Sequence, residues 1–136
     1  MSVIPILLVS LGASLILAQP PPVYEDPIPI SVKAGSDLKL TVPGPVNIWH
    51  RTYGQKDQKT EKDQYVEQCS QGLDVCQKWR SGTLGKNVSE QKVNIAKDGT
   101  LTVPKVTKAD SAKYYTYYNS DKDFRYHYVY YIVTVN

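Results

Sequence analysis

From Gly35 the chain reads GSDLKLTV, in which Leu38, Leu40 and Val42 alternate with polar residues until Pro43-Gly44-Pro45 breaks the run. A period of two over so short a stretch predicts a half-buried β-strand. Before it, Ile28 to Lys33 predicts an edge strand that turns at Ala34-Gly35, and after it VNIWHRTY predicts a third strand, from Val46, centred on Trp49. YVEQC and CQKW flank a short turn and predict a two-stranded ribbon. KVNIAKDGTLTVPKV predicts two strands about Asp98-Gly99, a dipeptide that favours tight turns. Beyond the polar turn TKADSA come two tyrosine-rich strands, Lys113 to Asn119 and Phe124 to Val135, joined by SDKD. Gly54 to Gln64 and RSGTLGKN read as loops. No segment sustains a helical period. About eight or nine short strands punctuated by Gly, Pro and Asp indicate an all-β sandwich.

The first residues, MSVIPILLVSLGASLILA, carry no charged side chain and end on small residues. Such a run is short for a membrane span and fits a secretory signal peptide over 1–18, cleaved after Ala18. QPPPVYEDPIPI follows with five prolines. Repeated proline favours extended backbone and excludes a central strand, so 19–27 reads as a leader and 28–136 as one domain. No second apolar stretch of spanning length follows, and the expected product is secreted, soluble and extracellular, with no membrane span after signal removal.

Charge narrows the function classes. The net charge of +3 is spread along the chain, and Lys56, Lys59 and Lys62 alternate with Asp57, Glu61 and Asp63. That is the pattern of a solvated loop, and no nucleic-acid signature accompanies it. Two cysteines, Cys69 and Cys76, in an oxidising compartment predict one local disulfide. Closing so small a loop contributes about 2–3 kcal/mol on the chain-entropy model. Two ligands without a nearby histidine do not make a metal site. Asn87-Val88-Ser89 is a glycosylation sequon at an expected surface position. Only His50 and His127 represent histidine, and there is no nucleophile elbow, zinc-binding helix or phosphate loop. Neither an enzyme nor a cofactor is expected.

Taken together, GSDLKLTV, Trp49, GTLTV and Asp110-Ser111-Ala112-Lys113-Tyr114-Tyr115-Thr116 resemble the immunoglobulin superfamily, in its variable or intermediate type, over most of 28–135. The resemblance implies an immunoglobulin-like, two-sheet antiparallel β-sandwich. It also implies a core tryptophan at Trp49 and a tyrosine corner at Tyr114, whose hydroxyl bonds back to the preceding turn. The core is expected at Leu40, Val42, Trp49, Leu101, Val103, Tyr114, Thr116 and Val133. The family's inter-sheet disulfide would join the positions of Val42 and Thr116, and neither is cysteine. Forgoing it removes roughly 4 kcal/mol on the chain-entropy model, so packing around Trp49 and the tyrosine corner must hold the sheets together. The Thr116 hydroxyl then needs a partner. In a regular third strand, Asn47 and Arg51 would share the face of Trp49, unless a bulge or another register intervenes. Trp79 is open between core, cap and contact.

If Tyr114 and Thr116 face inward, Tyr115, Tyr117 and Asn119 face outward. Core-facing Val133 and Val135 likewise send Tyr126, Tyr128 and Tyr130 outward, and His50 joins the same face. Tyrosine offers stiff contact area with a polar tip, and it also stabilises sheets through cross-strand pairs. The resulting expectation is a non-enzymatic binding module, of adhesion or signalling type, using this face. Its partner is an extracellular or cell-surface protein, or a second copy of itself. The alternative is a small secreted basic effector that binds acidic glycans or cell surfaces through scattered lysines, with strongly salt-dependent affinity.

Overall fold

The computed structural model describes residues 20–53, 62–69, 74–82 and 85–136. The segment read as a signal peptide, the stretch carrying Lys56 and Lys59, and the turn at 70–73 lie outside the described residues. In chain order the strands are β1 (Val23–Tyr24), β2 (Ile28–Val32), β3 (Leu38–Leu40), β4 (Ile48–Tyr53), β5 (Lys62–Glu67) and β6 (Lys78–Ser81). They continue with β7 (Asn87–Lys92), β8 (Asn94–Ile95), β9 (Leu101–Val103), β10 (Ala112–Asn119) and β11 (Tyr126–Val135). Short 3-10 turns precede β6 (Asp74–Gln77) and β10 (Lys108–Asp110).

The larger sheet runs β1-β11-β10-β4-β5-β6-β7, with β2 also on β11, and the smaller one runs β3-β9-β8. One sheet thus holds the last two strands beside the tryptophan strand and its two followers, while the other pairs the GSDLKL strand with the GTLTV strand. This is an immunoglobulin-like sandwich. The extension of the larger sheet by β5 and β6 beyond β4 is the variable-type arrangement. All pairings are antiparallel except those of β1 and β2, which lie parallel to β11. A parallel pair needs a long crossover, and here the whole domain lies between the two edges of the pair.

Period-two alternation places the core. Leu38 and Leu40 on β3, Leu101 and Val103 on β9, and Tyr114 and Thr116 on β10 are all buried. Trp49 and Trp79 are both fully enclosed, which resolves Trp79 as core. The two indoles act differently. Trp49, on β4, donates its Nε1–H to the Gly99 carbonyl at 2.8 Å, reaching from the larger sheet to the turn between β8 and β9. Tyr131, on β11, reaches across in the same way, donating its hydroxyl to Thr41 O at 2.6 Å. Trp79 Nε1 has no acceptor among the described residues, so this ring serves through its faces, one of them covered by Arg51 at 4.1 Å.

Arg51 does share the face of Trp49, as a regular strand requires, and it is buried rather than displaced by a bulge. Its Nη1 meets Asp110 Oδ1 at 3.0 Å and the Tyr114 hydroxyl at 3.2 Å, while Nε donates to Gln64 Oε1 at 2.7 Å. Asp110 Oδ2 accepts from Thr107 N, and Asp110 O accepts the Tyr114 hydroxyl at 2.7 Å, completing the tyrosine corner. Burial pushes the Tyr114 phenol pKa well up, with the Arg51 charge opposing. Thr116 Oγ1 finds its partner in Ile48 O at 2.7 Å.

Several expectations are corrected. Val42 is half-buried rather than core, because β3 ends at Leu40 and Pro43-Gly44-Pro45 peels the chain away. Asn47 is exposed and Val46 buried, because β4 begins only at Ile48 and the alternation does not extend back through them. The leader is not outside the sheet: Val23 and Tyr24 pair with His127 and Tyr128. Lys62 to Gln64, read as loop, belong to β5.

Two stability predictions arise from these contacts. Gly99 has φ +92°, and a Cβ there would stand 2.7 Å from Val42 Cγ1 and 2.9 Å from Gly44 O. Gly99→Ala should therefore lower stability by about 2 kcal/mol or more in urea denaturation. Asp110→Asn leaves the Arg51 guanidinium buried without its counter-charge and should lose about 3–5 kcal/mol. In the double-mutant cycle, adding Arg51→Met should restore part of that loss.

Candidate functional site

The outward face of the larger sheet is built by register. Tyr115 lies opposite His50 on β4 and opposite Tyr130 on β11, and Tyr117 lies opposite Tyr128. The rings meet accordingly. His50 stacks on Tyr115 with centroids 4.9 Å apart and planes 8° apart, and Tyr115 meets Tyr130 at 5.8 Å. Tyr117 packs against Tyr128 at 5.3 Å and edge-on against Tyr126 at 5.7 Å. All six residues singled out in the sequence thus occupy one continuous face.

Two members were missed. Tyr24 stacks on Tyr128 at 4.9 Å, because the parallel pairing of β1 brings it beside β11. Tyr65 on β5 lies opposite His50 and approaches its ring at 6.4 Å. The available signal for Tyr65 was its place next to Val66, whose burial sends Tyr65 outward. Nothing local in PPPVYEDP announces a strand partner for Tyr24.

The face is only partly open. Tyr24, Tyr117 and Tyr126 are 64%, 46% and 51% exposed, whereas His50, Tyr115, Tyr128 and Tyr130 half-cover one another. Cations flank the plate: Lys113 Nζ sits 4.4 Å from the Tyr130 ring centroid, and the Arg80 guanidinium 5.2 Å from that of Tyr65. Burial holds the His50 pKa below its ordinary value against the opposing charge of Asp63, so this imidazole is neutral at physiological pH. The surface is amphipathic and stiff, with few charges at its centre.

At one end of the plate the leader is fastened by a second histidine. His127 Nδ1 meets Glu25 Oε1 at 2.8 Å, its Nε2 meets the two Asp123 oxygens at 2.8 and 3.0 Å, and its ring stacks on Tyr118 at 5.2 Å. With carboxylates on both sides, both nitrogens donate only in the charged form. The bond to Glu25 raises the His127 pKa, partial desolvation opposes it, and Asp123 adds to the rise.

The remaining sequence candidates lie outside the cluster of rings, although Asn87 pairs with Arg80 at its β5 margin. Cys69 and Cys76 are joined by a disulfide. Asn87 is exposed, but it opens the outer strand β7 rather than lying in a loop. Among the described residues no group of three metal-ligating side chains occurs, and no helix is long and apolar enough to cross a membrane.

No family model and no curated protein matches the chain. Among solved structures it is similar to the extracellular portion of mouse CD200RLa, at 14% identity and TM-score 0.45, covering 81% of this chain and 56% of that one. It is also similar to the N-terminal four Ig domains of Dscam1 isoform 6.9, at 17% identity and TM-score 0.45, covering 80% of this chain and 22% of that one. For the same region of Dscam1 isoform 9.44 the values are 16%, 0.43, 87% and 23%. The chain spans about half the length of the first structure and under a quarter of the other two.

The His127 geometry fixes the sign of a pH effect. Its folded pKa lies above the unfolded value, so its stabilisation is full below about pH 6.5 and is lost as pH rises through the folded pKa. The stability difference between the parent and His127→Gln, from denaturation at a series of pH values, should be largest at about pH 5 to 6.5, where the carboxylates are ionised and the imidazole is charged, and shrink above neutrality. NMR titration of the His127 ring should show the raised midpoint directly.

Proposed function

We propose that this chain is a secreted, non-enzymatic immunoglobulin-like protein that recognises another extracellular protein through its tyrosine-rich face. The observation that carries this reading is the continuity of the plate. Aromatic side chains from β1, β5, β10 and β11, with His50 of β4 among them, form one connected surface that keeps three large tyrosines exposed. Sheet stability alone is served by cross-strand pairs worth about 0.2–1 kcal/mol each, and it does not require solvent exposure of their outer rings. Tyrosine rings locked by their neighbours lose little freedom on binding, which suits recognition by shape and hydrogen bonding.

Several features support the setting. The apolar start of the chain, the Cys69–Cys76 disulfide and the exposed sequon at Asn87 agree with an oxidising, extracellular environment. Glycosylation at Asn87 would lie on β7, opposite Arg80 and two pairings from Tyr65, so a glycan there would border the β5 margin of the plate and leave its β10–β11 part, up to five pairings away, clear. Lys113 and Arg80 at the margins would contribute orientation and on-rate more than affinity.

The test is a binding screen of the tagged mature protein against extracellular domains, followed by mutation of the plate. Tyr117→Ala with Tyr128→Ala should weaken the captured interaction by about 2 kcal/mol or more while the fold survives. Unchanged binding on an intact fold returns these rings to sheet stabilisation. Affinity that collapses with added salt, together with capture of acidic glycans, returns the protein to the basic-effector reading.

A further inference from the structure

Behind the plate, on the inward side of β11, the sandwich opens. The gap lies between the leader and the chain that follows β3, where Val42 is only half-buried. It forms a cavity of about 530 Å³, with Val129 and Tyr131 among its inner walls and Ile28 and Val42 along its sides. Ile28 remains 42% exposed although it is paired in β2, so apolar surface is left uncovered here. Tyr118 supplies a rigid wall. Its ring stacks on His127, and its Cδ2 packs so closely on Gly44 that a Cβ there would lie at 3.3 Å.

The remaining lining is Thr41, Pro43 and two acidic residues. Glu25 and Asp26 are both exposed and border the cavity, and no basic side chain is among its described lining residues. Glu25 is held in place by His127, whose charge is already matched by Asp123 on its other side. This corner is therefore locally anionic in a chain of net charge +3. An open groove with apolar side walls at Ile28, Val42 and Val129 and a carboxylate lip suits a cation that carries an apolar body. The ammonium is balanced by the carboxylates. The volume lies in the range of small-molecule pockets, and a single lysine side chain would leave much of it unfilled.

We propose that this cavity binds a low-molecular-weight organic amine, an arylalkylammonium ion in chemical class. The ammonium sits toward Asp26 and Glu25, and the apolar body lies against Val42, Val129 and Tyr131. The site is separate from the tyrosine plate, because its inner walls are the inward residues of β11 and the plate uses the outward ones.

The probes are tryptamine and its neutral counterpart tryptophol, titrated into isotope-labelled protein and followed by amide shifts at Ile28, Thr41 and Val129. Tryptamine should bind at least about tenfold more tightly than tryptophol. Asp26→Asn should erase most of that difference without changing tryptophol binding. Filling the chamber with Val42→Trp should abolish both. Ile28→Trp, at a half-exposed position, gives the same test should Val42→Trp fail to fold. Tyr117→Ala with Tyr126→Ala, which spares the Tyr24–Tyr128 stack holding the leader, should leave tryptamine binding intact, which keeps this site's fate distinct from that of the plate. Equal affinity for the two probes, shifts scattered away from the cavity, or no binding at several millimolar would overturn the proposal. Binding of a blocked lysine as tight as that of tryptamine would overturn the assignment to a small-molecule amine.

Discussion

The hydrogen bond from Trp49 Nε1 to the Gly99 carbonyl is the constraint on which this sandwich turns. It links a strand in one sheet to a turn in the other, in a fold that commonly uses a covalent bond for that purpose. A non-covalent tie demands more of its surroundings. The carbonyl must be presented at a fixed place, so the Asp98-Gly99 turn is closed by Ala96 N to Thr100 O and by Asp98 Oδ1 on Thr100 N. Gly99 must lack a side chain, because Val42, Gly44 and Val46 already crowd it. Tyr131 adds a second link of the same kind, and its ring also lies 6.2 Å from that of Trp49. Both are large aromatic residues with one polar atom. They bury apolar area along their length and deliver a donor at the far sheet.

The other half of the core is held by a charge instead. Arg51 lies between Trp79, Tyr114 and Asp110, so a cation occupies a position where strand alternation calls for an apolar side chain. Its desolvation is offset by a carboxylate, a hydroxyl, an amide oxygen and an indole face. Asp110 in turn fixes the short turn before β10 through Thr107 N and receives Tyr114. The orientation of β10, and so the outward set of Tyr115 and Tyr117, follows from this buried cluster.

Much of this was legible in the chain. Leu38, Leu40, Leu101, Val103, Tyr114 and Val133 follow from alternation, and the outward tyrosines follow from them by parity. Arg51 was placed on the correct face, yet its role was hidden, since its partners Asp110 and Gln64 are 59 and 13 residues away. Val42 was overestimated because alternation has no way of showing where pairing stops, and Pro43 stops it early. Tyr24 was invisible for a different reason. Parallel pairing of a leader with the last strand is a contact between the two ends of the chain, and prolines argue against strand locally. The cavity shares that origin, as its walls come from the leader, the end of β3, and β10 and β11.

The two sides of β11 therefore do different work with one alternating sequence. YHYVYYIVTV sends Tyr126, Tyr128 and Tyr130 to the plate, and His127, Val129, Tyr131, Val133 and Val135 to the interior. Toward Val135 the inward series is sealed by β2. Toward His127 it runs out of apolar cover, and the leader takes over with Glu25 and Asp26. The leader has to be fastened there by side chains, because β1 contributes only two paired residues. His127 does this from the inward series and Tyr24 from the outward one. A single short strand thereby joins the aromatic plate to the acidic mouth of the cavity, and the charged form of one imidazole strengthens its attachment.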